Sequence, residues 1–310
     1  MKEIAGGVTS AKGFEAAGAE AAVKYKNRKD MALVYSTVPC KVAGTFTTNV
    51  VKAAPVMWDK QVVEKSAFAQ AVVVNSGIAN ACTGKPGMDC CKAEAEHAGK
   101  LLGIPADAVL VASTGVIGMQ MPVDRLCAGI DKLVAAKAAT AEAGLDAAKA
   151  IMTTDTIHKQ IAVTFELDGK TVTIGGMCKG AGMIHPNMCT MFGFVTTDVN
   201  ISKEMLQKAV SASVEDSFNM ISVDGDTSTN DTLLVLANGM AGNAEITAEG
   251  ADYDTFCEAL HIVCEDLAKK ILSEEEIEIN VTLKEGEGKV TCWGCDLTYD
   301  YVKINGDYRT

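Results

Sequence analysis

Residues 179–197 read KGAGMIHPNMCTMFGFVTT: a lysine and two glycines, a small and polar run around one proline, then an abrupt apolar stretch. Residues 191–197 have the aromatic and β-branched content of a buried strand, so a loop becomes a strand at Thr190. A hydroxyl at that junction needs a hydrogen-bond partner, which a plain core threonine would find. A second reading is chemical. If the chain is cut between Cys189 and Thr190, the new α-amine lies beside its own hydroxyl. Such an amine titrates at about pH 7.7–8.0 and can take the hydroxyl proton without a histidine. The small side chain of Cys189 leaves room for Thr190 to attack the preceding carbonyl.

Outward from this strand, short β-type runs alternate with amphipathic segments. Strands are expected at 31–37, 71–75, 109–112, 161–167, 171–174, 191–197, 232–238 and 277–283. Asp168-Gly169 should close a tight hairpin between the fourth and fifth. Helices are expected at 89–102, 123–137, 143–151, 202–218 and 253–272, with Ser202 as an N-cap. The pattern is that of an α/β (α+β) protein with several helical and sheet layers.

The 310 residues suffice for a large core, and 48% apolar with 22% charged residues is the balance of a soluble globular chain. The start, MKEIAGG, has no signal-peptide hydrophobic region and no run is long enough to span a membrane, so a cytoplasmic protein is expected. A net charge of −12 argues against nucleic acid and anionic membranes as partners. The cysteine count, 11, is odd, and most sit in apolar or helical contexts such as Cys127, Cys257 and Cys264, which favours reduced thiols. Cys292 and Cys295 have metal-ligand spacing, but no second pair accompanies them, so no metal is expected. Adjacent Cys90 and Cys91 read as packing residues opening a helix.

Four glycine-rich or polar junctions adjoin the strands: NSGIANACTG (75–84), STGVIG (113–118), KGAGMIHPNMCT (179–190) and DGDTSTND (224–231). Loops at strand ends are where sites form. Acyl transfer at Thr190 creates an oxyanion that needs fixed donors, and Thr114-Gly115 offers a hydroxyl and an approachable backbone N–H. Lys179 suits a substrate carboxylate, or would keep the amine base deprotonated; an ordinary solvated lysine is the alternative.

The sequence resembles the ornithine acetyltransferases, the bifunctional glutamate N-acetyltransferases of arginine biosynthesis. The resemblance rests on GVTSAKGFEAAG (7–18), AGTFTTNVVKAAPV (43–56), MTTDT (152–156), SVDGDTSTNDT (222–232), WGCDLTYDYVKINGDYRT (293–310) and the junctions above. It implies the layered fold of that family and of N-terminal-nucleophile aminopeptidases. It implies self-cleavage into an α chain, 1–189, and a β chain, 190–310, with Thr190 as nucleophile and Thr114 with Gly115 as the oxyanion pair. Thr153, Lys179, Asn305 and Thr310 fall on substrate-binding positions, as does Thr190. The implied reaction carries acetyl from N-acetyl-L-ornithine to L-glutamate, with no cofactor beyond acetyl-CoA as a donor in some members. The implied assembly is two α and two β chains in the cytoplasm.

One departure is large. Relatives continue after the helix at 253–271 into a glycine-rich segment and about a hundred further residues, whereas here LSEEEIEINVTLKEGEGKV follows at once. A second lobe is therefore expected to be much reduced, and the acidic substrate ligand of that segment has no counterpart; Glu287 falls in the last hairpin instead. The departure leaves two further readings open: a family member that does not turn over, and an amidohydrolase or aminopeptidase passing the acyl group to water.

Overall fold

The computed structural model describes residues 1–180, 191–222, 228–271 and 293–294. In chain order the elements are β1 (Lys2–Ile4), β2 (Phe14–Ala19), β3 (Met31–Phe46), α1 (Ala54–Lys65), β4 (Ala69–Ile78), α2 (Gly84–Leu102), β5 (Val109–Val116), α3 (Val123–Ala136) and α4 (Ala141–Ala150). Then come β6 (Lys159–Leu167), β7 (Lys170–Lys179), β8 (Phe192–Thr197), α5 (Lys203–Glu215), β9 (Ile221–Ser222), β10 (Thr232–Ala237), α6 (Ala251–Ile271) and β11 (Trp293–Gly294).

The main sheet runs β1-β6-β7-β8-β10-β3-β4-β5, with β2 also on β3. It is two sheets sharing one strand. Residues 41–46 of β3 pair with β10, while residues 31–36 pair with β2, and β4 joins the same end. The crossover lies where the register with β4 shifts between Tyr35 and Cys40, around Pro39. Proline has no ladder donor, and strands that change sheets do so at such irregularities.

Alternation of side chains then dictates the layers. In β10, Leu233 and Val235 join Val210 of α5 and Val263 of α6, while Leu234 and Leu236 point the other way, into a core shared with Val34, Val72 and Leu110. In β4 and β5, Val73 and Val111 face Ala95 of α2 and Leu126 and Ile130 of α3. Because both faces of each central strand are covered, these strands are apolar throughout. The order is helix, sheet, sheet, helix, which fits the α/β layering expected from the sequence and adds the sequence of layers.

The Asp168-Gly169 hairpin forms, both residues having positive φ (49° and 67°), and Ser202 caps α5 by accepting the Met205 N–H at 3.3 Å. Several boundaries move. β5 continues through Val116, past the expected end at 112, so Thr114 and Gly115 belong to a strand and not to a loop. α2 starts at Gly84, which puts Cys90 and Cys91 inside the helix, where both are buried. β2 and α1 were not expected. The eight described cysteines are free thiols. The strand expected at 277–283 and the pair Cys292 and Cys295 lie outside the described residues.

Candidate active site

Strand register assembles one edge of the site. Lys179 of β7 lies opposite Phe192 of β8, Phe192 opposite Thr232 of β10, and Thr232 opposite Phe46 of β3. The next residue back from Phe192 is Met191, bonded in the chain to Thr190. Met191 is buried and held at both backbone groups: its N–H donates to Asp231 Oδ1 at 3.2 Å, and its carbonyl accepts the Thr232 N–H at 3.2 Å.

Lys179 is 3% exposed, which rules out the solvated-lysine reading; its ammonium stands 5.3 Å from the centre of the Phe192 ring. Burial lowers its pKa, against the pull of the Asp155 and Asp231 carboxylates. Asp231 is fully buried, one oxygen has no hydrogen-bond partner among the described residues, and burial pushes its carboxyl up to about 8 despite Lys179.

Asp155 behaves oppositely. Oδ1 accepts from Lys159 Nζ at 2.6 Å and from the Gly180 N–H at 2.8 Å; Oδ2 accepts from the Thr153 N–H at 3.1 Å. Burial alone would raise it, but the Lys159 ammonium and the two amides together outweigh burial and hold it below the ordinary carboxylate range. Asp155 thus ties the loop of Thr153 to the end of β7.

The oxyanion pair sits at the end of β5, where Thr114 and Gly115 lie opposite Ser76 and Gly77 of β4. Gly115 has φ +132°, and a Cβ there would be 2.3 Å from the Gly77 carbonyl carbon, so only glycine fits. Thr114 is buried and Gly115 is exposed. A hydrogen-bond route joins this edge to the first. The Asn80 N–H donates to Ser113 Oγ at 2.7 Å, Ala54 N–H to Asn80 O at 3.1 Å, Ala53 N–H to Thr229 O at 2.9 Å, and Thr47 N–H to Asp231 O at 2.9 Å. Residues 47–54 are the hub, and Thr47 Oγ1 adds a bond to Ser228 O at 2.7 Å.

A cavity of about 700 Å3 opens beside Thr153 and Asp155, lined also by Arg28, Lys29, Asp146, Lys149 and His158. The structure therefore brings together Lys179, Thr153 and the strand leading from Thr190, and links Thr114 and Gly115 to them. Cys189, Thr190, Asn305 and Thr310 lie outside the described residues. Sequence reasoning missed Asp155 and Asp231, although both sit in quoted motifs, MTTDT and TSTNDT; a buried-looking acid next to a strand was the available signal. Among the described residues no group of three or more metal-ligating side chains is placed to hold an ion, and no helix is long and apolar enough to cross a membrane.

The ArgJ family model matches residues 15–276 and 268–310. The chain belongs to the ArgJ family. The arginine biosynthesis bifunctional protein ArgJ of Symbiobacterium thermophilum is 42% identical to this ArgJ-family chain over 405 aligned positions, spanning 100% of both. Since this chain has 310 residues, a stretch of that relative has no counterpart here, and the two family matches meet at 268–276. The crystal structure of the ornithine acetyltransferase of Mycobacterium tuberculosis, complexed with ornithine, is 39% identical with a TM-score of 0.54, covering 60% of this chain and 97% of that one. The L-aminopeptidase D-Ala-esterase/amidase of Ochrobactrum anthropi, described as a variant of the Ntn hydrolase fold, has a TM-score of 0.53 over 88% of each chain at 12% identity. That likeness is one of fold alone. The names of the ArgJ relatives place them in arginine biosynthesis.

Proposed function

We propose that this chain is a self-cleaving N-terminal-threonine acetyltransferase that moves acetyl from N-acetyl-L-ornithine to L-glutamate. In maturation the Thr190 hydroxyl attacks the Cys189 carbonyl, and water hydrolyses the resulting ester. This leaves an α chain, 1–189, ending in a carboxylate and a β chain, 190–310, beginning with a free amine. In turnover that amine takes the hydroxyl proton as Oγ attacks the acetyl carbonyl. Thr114 and Gly115 donate to the oxyanion, such donors contributing roughly 3–4 kcal/mol each. The proton passes to the departing ornithine nitrogen, and the glutamate amine then takes acetyl from Thr190. Lys179, Thr153, Asn305 and Thr310 bind substrate. No resident cofactor takes part, acetyl-CoA enters only as an alternative donor, and two α and two β chains assemble.

The head of β8 carries this reading: Met191, next to Thr190, is fixed by Asp231 and Thr232 beside the buried Lys179. Family membership supports it. N-terminal sequencing of purified protein should give a second terminus, Thr-Met-Phe; a single intact chain after days at neutral pH contradicts the proposal. Incubation with N-acetylornithine and glutamate should release ornithine in the parent and not in Thr190→Ala.

The stretch without counterpart favours one other reading, a member that cleaves itself without turning over. Removing a carboxylate that faces a substrate ammonium leaves that charge unpaired, at a cost of about 1–3 kcal/mol or more. Cleavage without ornithine release would establish that reading. Acetate formed without glutamate would establish the hydrolase.

A further inference from the structure

On a chain of net charge −12, the cavity beside Thr153 is a local exception. Its lining comes from three elements, two of which are loops shaped by buried carboxylates. Asp30 accepts the Ala21 and Val23 N–H groups at 2.7 and 2.6 Å and closes the loop that presents Arg28 and Lys29. Arg28 is fixed further, one guanidinium nitrogen donating to Met152 O at 2.6 Å. Lys149 stands in the last turn of α4. Asp155 shapes the loop that carries Thr153 and His158.

Among the lining residues the charges do not cancel. Three lining cations, Arg28, Lys29 and Lys149, face two lining carboxylates; Lys29 pairs with Asp146 at 2.5 Å, and Asp155 is already taken at 2.6 Å by Lys159, which stands outside the lining. Arg28 and Lys149 are left in excess. His158 feels the resulting field: burial, then Lys149, then Lys270 of α6 lower its pKa, so it stays neutral in a positive surrounding. The cavity also adjoins the proposed chemistry. Ser76 Oγ donates to Ala150 O at 2.8 Å, and Ser76 lies opposite Thr114; on the other side Asp155 holds Gly180.

We propose that Arg28 and Lys149 form a carboxylate subsite that selects the dicarboxylate acceptor over the donor. This rests on the acetyltransferase reading. Glutamate carries net charge −1 and its acetylated product −2, whereas N-acetylornithine is neutral overall and ornithine is a cation. Two excess cations in a cavity of this size distinguish these by charge before shape matters, and they favour the acid side of the exchange.

Arg28→Gln and Lys149→Gln test the subsite. Loss of one charged hydrogen bond should raise the KM for glutamate about tenfold in each, with kcat unchanged and the KM for N-acetylornithine within about twofold. Lys85→Gln, which removes the same charge from an exposed pair on α2 (Lys85 with Asp89), should leave both KM values alone. Equal rises in both KM values, no rise in either, or the same rise in Lys85→Gln would overturn the proposal. Calorimetric titration of L-glutamate into the purified protein needs no turnover. Binding should weaken in Arg28→Gln and Lys149→Gln and with added salt, and unchanged binding sinks the subsite even if the parent transfers no acetyl. Ornithine release by the parent with unaltered kinetics in the variants leaves the transferase standing and removes only the subsite.

Discussion

Two carboxylates act on Lys179 from different regions, and they are tuned in opposite directions. Asp155, in the loop between α4 and β6, takes three hydrogen bonds, one from an ammonium, and is held below the ordinary range. Asp231, at the head of β10, holds the Met191 amide, has one oxygen without a hydrogen-bond partner among the described residues, and is pushed up to about 8 by burial. Both side chains are buried. The difference is direct contact with an ammonium and two amides, which together offset desolvation at Asp155, whereas the pull of Lys179 and the Met191 amide do not offset it at Asp231. The first region is an anchor and the second is poised to change charge near neutral pH.

The strongest way to break this contrast is Asp155→Ala, which strands the buried Lys159 and frees two amides. Stability should fall by about 3–5 kcal/mol in denaturant titration, and a loss under about 1 kcal/mol would deny Asp155 its anchoring role. Asp231→Asn should behave differently, because Asn keeps an acceptor for Met191. The folded pKa of Asp231 is raised from 3.8 to about 8, so its contribution is complete below 3.8 and is lost as pH rises to 8. The thermal stability of Asp231→Asn relative to the parent should therefore improve steadily over that range and level off above it. Lys179→Met removes the cation that pulls Asp231 down, and the levelling-off should move to higher pH. The smallest effect is expected at Glu94, another buried acid with no ion pair among the described residues, which accepts from Cys90 Sγ at 3.3 Å and is raised from 4.5 to about 7 by burial. Glu94→Gln should gain on the parent between pH 4.5 and 7 only, as followed by calorimetry.

Continuous apolar runs made the layers legible, because central strands such as TLLVLA are buried on both faces and have no polar face to disguise them. β2, FEAAGA, was illegible: alanine and glycine have low strand propensity, and the strand exists because β3 offers it a partner. α1 carries a readable sign, a proline in its first turn. Thr114 and Gly115 were legible as donors but not as strand, since glycine reads as punctuation until a neighbouring backbone at Gly77 explains it. Asp155 and Asp231 were legible as acids beside strands, but their partners were not. What they do is defined by Gly180, 25 residues away, and Met191, 40 residues away.

The order of strands has a mechanical consequence. β8 and β10 follow the proposed scission point, yet they lie between β7 and β3, which precede it. A nicked molecule would thus be interlocked: its smaller piece supplies the middle of a sheet whose flanks belong to the larger. The two polypeptides would elute together through any native column and part only when the sheet itself is denatured.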